Sequence, residues 1–130
     1  MDQDFDVLIG EWHELADQRP EVIEGRFASD GKALLEQVLS NAMGSTPFWE
    51  FSSPSEFAQY VINLRENEKA WSRHLGEVIL ASQSLLDQGN PDAAEKIFDE
   101  FEAKCPWQMF VDIARTQRAN TLGDRGAGAA

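Results

Sequence analysis

A chain of 130 residues with 42% hydrophobic and 10% aromatic side chains has the length of one domain and can bury a core without metals or disulfides. Its 23 acidic residues stand against 11 basic ones, a formal net charge of −12, which repels nucleic-acid backbones and anionic membranes and draws basic partners inward. A single cysteine, Cys105, excludes an internal disulfide framework. No run approaches the roughly 18 apolar residues of a membrane span, and the start "MDQDFDVLIG" is acidic where a signal peptide is basic, so a cytoplasmic address is expected.

In chain order, Phe5, Leu8, Ile9 and Trp12 recur at i, i+3, i+4 and i+7, with Leu15 and Ala16 continuing the stripe. This helix stops near Arg19-Pro20, since the residue before proline resists the α region. "PEVIEGRFA" adds a short helical turn. A second stripe, Leu34, Leu35, Val38, Leu39, Ala42 and Met43, starts behind a cap at Ser29 or Asp30 and ends at Gly44. After the irregular "GSTPFWEFSSPS", Ser53 caps a third helix with Pro54 at its first position and Glu56 at its third. That helix carries Phe57, Tyr60, Val61 and Leu64. A separate fourth helix carries Trp71, Leu75, Val78, Ile79, Leu85 and Leu86 to Gly89. Asn90 caps the fifth, whose stripe is Ala94, Ile97, Phe98 and Phe101, and Pro106 separates a sixth with Trp107, Phe110, Val111 and Ala114.

No stretch sustains period-two alternation. The expectation is an all-α, single-domain bundle of five to seven antiparallel helices over residues 1–120, followed by a flexible tail at 121–130 that has nothing to bury. Its expected core is Phe5, Ile9, Trp12, Leu35, Leu39, Tyr60, Leu64, Trp71, Leu75, Ile79, Phe98, Phe101, Trp107, Phe110 and Val111.

Gly89, Ala94, Phe98 and Pro106 stand at the offsets of the turn glycine, small residue, aromatic and closing proline of a tetratricopeptide helical hairpin, which residues 78–106 resemble. The first half departs, with Val78, Ala81, Ser82 and Leu85 where that family favours Trp, Leu, Gly and Tyr. One period earlier stand Ser55, Tyr60, Leu64 and Ser72, so the motif does not recur. The resemblance implies an antiparallel helix pair, not a repeat array, and carries over no binding residues.

Little in the chain has the pattern of catalysis. His13 and Asp17 share a helix face with Asp6, but a metal wants more imidazoles or thiolates, and no zinc or Glu-x-x-His spacing is present. His74, between Trp71 and Val78, reads as a boundary residue bonded locally. Cys105 continues the stripe of Phe98 and Phe101 and reads as a buried thiol in an acidic setting, not a nucleophile. "SDGKALLEQ" lacks a phosphate-cradling loop, and the glycines of "GDRGAGAA" open no helix. No catalytic residue, metal or cofactor is expected.

Three surfaces remain as candidate partner sites. Asp92, Glu95, Asp99 and Glu102 fall at i, i+3, i+7 and i+10, widened by Glu100 and relieved only by Lys96. Like charges one turn apart each cost a few tenths of a kcal/mol. The stripe is either a face for a basic partner or simply solvated, and its reversal is expected to leave folding nearly intact. The first 25 residues hold eight acids and one base, with Asp4, Glu11 and Glu14 on the solvent side. Phe48, Trp49 and Phe51 form either an inward plug or an exposed anchor with Trp49 as a hot spot.

A small, acidic, helical, cofactor-free chain resembles bacterial immunity proteins that neutralise toxins, a likeness of size, charge and class. It implies a non-catalytic module whose acidic helix meets a basic toxin or effector, steered by charge. An adaptor or secretion chaperone holding a partner helix is the alternative and would need an exposed apolar groove. An enzyme of unrecognised type would need a deep pocket at His13 or His74.

Overall fold

The computed structural model describes residues 2–44 and 51–129, with side chains over 4–44 and 51–122. The described residues form six α-helices and no strand: α1 Asp2–Ala16, α2 Pro20–Arg26, α3 Gly31–Asn41, α4 Pro54–Asp87, α5 Pro91–Lys104 and α6 Gln108–Ala129. The chain is all-α, as the periodicity implies. No helix is long and apolar enough to cross a membrane among the described residues.

The stop and start signals act as their chemistry dictates. The Ser53 hydroxyl accepts the Glu56 N–H at 3.1 Å, and the Glu56 carboxylate reaches back to the Ser52 hydroxyl at 2.6 Å, closing a reciprocal cap on α4. Asn90 Oδ1 accepts the Ala93 N–H at 3.4 Å, with Pro91 in the first turn of α5. Gly44 and Gly89 take φ of 71° and 77°, the left-handed region that a Cβ disfavours, each just past the end of a helix. The cap of α3 differs from expectation. Asp30 holds the N-cap position but makes no side-chain cap bond, because Arg26 Nε and Nη2 take both its carboxylate oxygens at 2.7 Å.

Two predicted helices are one. α4 runs unbroken for 34 residues, because the intervening "RENEKA" is built of helix formers and holds neither proline nor glycine. The backbone of 121–129 continues α6.

The chain divides into two compact units, Met1–Lys69 and Ala70–Ala130, where its length suggests one domain. In the first, α1 packs on α3 and α2 also meets α3. Its core is Leu8, Trp12, Leu15, Ile23, Leu34, Leu35, Val38, Leu39, Phe57 and Val61, all buried. Each fully buried side chain of this kind contributes about 1.5–3 kcal/mol relative to exposure. Gly31 is buried, and a Cβ there would lie 2.7 Å from the Arg26 carbonyl oxygen and 3.0 Å from the Phe57 ring. Only glycine allows that approach of the α2–α3 connection to α4.

The second unit pairs α5 with α6 around Ala94, Phe98, Phe101, Trp107, Phe110, Val111, Ala114 and Leu122, with Leu75 and Val78 from α4. Ser82 is also fully buried, its hydroxyl donating to the Ile79 carbonyl at 2.7 Å. Of the expected core, Tyr60 is exposed, at 37%, and Phe5, Ile9, Leu64, Trp71 and Ile79 are half-buried. On α4 the inward line in the first unit runs through Phe57, Ala58, Val61 and Glu68, which turns Tyr60 outward.

Candidate functional sites

The first unit holds a polar cluster that sequence reasoning did not assemble. Glu68 is 3% exposed on α4. Its Oε1 accepts from Trp12 Nε1 at 2.7 Å and Arg65 Nη1 at 3.0 Å, and its Oε2 lies 2.8 Å from His13 Nε2. Arg65 also donates from Nε and Nη2 to Asp17 at 2.9 and 3.3 Å, and Lys69 stands 3.8 Å from Asp17. The hydrogen bond from Arg65 holds the Asp17 carboxyl below its ordinary value. His13 and Asp17, expected to share one face as neighbours, thus serve different partners on α4. A buried carboxylate is tolerated only where hydrogen bonds and charge replace its water, and here α1 and α4 supply both. The arrangement fixes α1 to α4 and orients a half-exposed imidazole. Its signal in the sequence was a glutamate eleven residues after Phe57 and seven after Val61, on the buried line of α4.

In the second unit the acidic stripe of α5 meets α6. Arg118 donates from Nη2 to Glu95 at 2.9 Å, and its Nη1 lies 2.7 Å from Asp99 and 3.2 Å from Glu102. Arg115 Nε adds a bond to Glu102 at 3.1 Å. Hydrogen bonding to Glu95, assisted by the charges of Asp99 and Glu102, raises the Arg118 guanidinium further above its ordinary value. Lys96 is therefore not the stripe's sole relief: the compensating charges come from a helix more than a dozen residues away. Glu102 is also largely covered, its side chain 15% exposed. Asp92 is exposed at the start of α5.

Glu100 points elsewhere. With Trp71, His74, Glu77, Ala81 and Ile97 it lines an open groove of about 470 Å³ between α4 and α5. Trp71, His74 and Phe101 meet there with all three ring centroids 5.6 Å apart. His74 stands near Glu77 on the same helix, but at 3.7 Å from Nδ1 to Oε1 the pair is beyond hydrogen-bond reach, unlike the local bond expected for it. The groove was missed because Trp71 was assigned wholly to the core, yet Trp71, His74, Glu77, Val78 and Ala81 follow one helical face of mixed polarity.

The remaining candidates are more simply placed. Glu11 and Glu14 are exposed on α1, as is Asp4. Phe51 packs inward on Phe57 at 5.4 Å and Phe27 at 6.1 Å, while Phe48 and Trp49 lie outside the described residues. Cys105 is half-buried, its thiol donating to the Trp107 carbonyl at 3.6 Å, and burial raises it above the ordinary thiol value. That disfavours the thiolate a nucleophile requires. Among the described residues, no three His, Cys, Asp or Glu side chains converge as a metal site requires.

No protein-family model, curated protein or solved structure matches the chain.

Proposed function

We propose that the chain is a non-catalytic protein-binding module for a basic partner, acting in the cytoplasm as an immunity or inhibitor protein that neutralises a basic toxin or effector. The observation that carries this reading is the division of its carboxylates between paired and unpaired faces. Glu95, Asp99 and Glu102 are matched by Arg118 and Arg115. Asp4, Glu11 and Glu14 are exposed on α1, and no hydrogen bond or ion pair joins them to a described residue. Arg26 is gripped first by Asp30, with weaker attraction to Glu14 and Glu11. An unpaired acidic face on a chain of net charge −12 adds self-repulsion, and its physical return is fast capture of a cation-rich surface. The geometry therefore shifts the expected contact from the α5 stripe towards α1.

The test begins with the partner recovered from the native cell and follows its association with wild type and with Glu11→Lys/Glu14→Lys over a range of salt. The double reversal is expected to slow association and flatten its salt dependence, leaving the dissociation rate nearly unchanged. A neutral or acidic partner, or an unchanged association rate at low salt, overturns the reading. An adaptor that holds a partner helix is the second reading, favoured by the groove between α4 and α5.

A further inference from the structure

We propose that the groove between α4 and α5 is a docking site for an amphipathic helix of a protein partner, one whose apolar stripe is flanked by basic residues. This rests on the reading of the chain as a protein-binding module and names the segment that the partner supplies.

The floor and walls favour a helix over a compact ligand. The groove is open, with Trp71 and Ile97 half-buried and Ala81 exposed. From Trp71 to Ala81 it follows α4 for about 15 Å at 1.5 Å per residue, close to three turns of a second helix laid alongside. Trp71 is the natural anchor, since a large aromatic that is only part-covered gains most from a packed partner.

Charge selects the occupant. Glu77 rises from the α4 wall and Glu100 from the α5 wall, so carboxylates flank the apolar floor on both sides. Among the described residues, Glu77 has an ion-pair contact with His74 alone, at 3.7 Å. Glu100 has no ion pair or hydrogen bond among the described residues. Lysine or arginine stems would lie along Trp71 and Ile97 while their cationic heads reach these two carboxylates. Lys104, one turn beyond Glu100 at the Trp71 end, asks for an acidic residue at the matching end of the partner and so sets its direction. A second copy of this chain fits the groove less well, since its net charge of −12 opposes self-association.

The experiment uses the full chain and a synthetic capped helical peptide of about four turns, leucines on one face and lysines on both flanks. Calorimetric titration compares it with the same peptide carrying glutamates for the lysines, and with spermidine as a free alkylammonium. The lysine peptide is expected to bind and the glutamate peptide not to. Glu77→Lys/Glu100→Lys should weaken binding at least about tenfold, while Glu36→Lys/Glu66→Lys, the same charge change at two exposed positions outside both candidate faces, changes it less than about threefold. Ala81→Trp, which fills the groove from an exposed position, should also remove binding; where it lowers helicity, the double reversal decides alone. Equal losses from both double reversals mean that the whole molecule's charge, not the groove, attracts the peptide, and overturn the proposal. So does spermidine displacing the peptide at equal concentration, which assigns the groove to a small amine. If the groove variants keep native-partner binding while the α1 reversal loses it, the module reading stands and the docking site falls.

Discussion

Glu68 is the residue on which the first unit depends most. Removing its carboxylate leaves the Trp12 N–H, fully buried at 0% exposure, without its acceptor at 2.7 Å, and Arg65 with Asp17 as its remaining partner. Breaking one side of a buried hydrogen-bonded pair costs about 3 kcal/mol, so Glu68→Ala should lower stability by about that amount in urea unfolding. Trp12→Phe should cost less in the Glu68→Ala background than in the wild type, because the hydrogen bond between them is already lost there. Asp17 makes a smaller and pH-dependent contribution. Its folded value is depressed below the ordinary 3.8 by the hydrogen bond from Arg65. The stabilisation is therefore present above pH 3.8 and disappears as pH falls through the lower folded value. Asp17→Asn should cost about 0.5–1 kcal/mol at neutral pH, a partly exposed pair being screened by water. Wild-type and variant unfolding curves should converge as the medium is acidified below that ordinary value.

At the scale of elements, α4 and the α5–α6 pair show where local pattern and tertiary contact part company. The cap at Ser53, the stop at Gly89 and the restart at Asn90-Pro91 are local chemistry, and each was readable because capping and left-handed turns demand particular side chains. Between Leu64 and Trp71, the last and first apolar markers of the two helices expected there, the apolar stripe has a gap. That gap is filled instead by Arg65 and Glu68, whose polarity is satisfied by α1. A polar residue whose partners lie on another helix leaves no mark in the periodicity of its own. The α5 stripe teaches the same point in reverse, since its compensating cations lie on α6 rather than in the next turn. Asp99→Lys/Glu102→Lys should therefore destabilise the second unit by about 1–2 kcal/mol, where a solvated stripe would tolerate it. Thermal unfolding should show the loss, and Arg118→Glu added to the double variant should restore part of it.

For the molecule as a whole, the charge of −12 repels itself, while its exposed ion pairs are each worth only about 0–1 kcal/mol and weaken in salt. Screening the self-repulsion should then raise the melting temperature as sodium chloride goes from low to moderate ionic strength. A fall would show that the Arg118 and Arg65 networks dominate instead. Helical class, the order of the segments, most of their ends and the sign of the surface followed from the sequence alone, because 3.6-residue periodicity, capping and net charge are properties of short windows or of composition. Tertiary structure alone decided that Glu68 is buried and Tyr60 is not. It also decided that Arg118 neutralises the α5 stripe and that Trp71, Glu77 and Glu100 border one groove. Each of these depends on which residues distant in the chain come within a few ångströms, and on the low dielectric and excluded water that such contact creates.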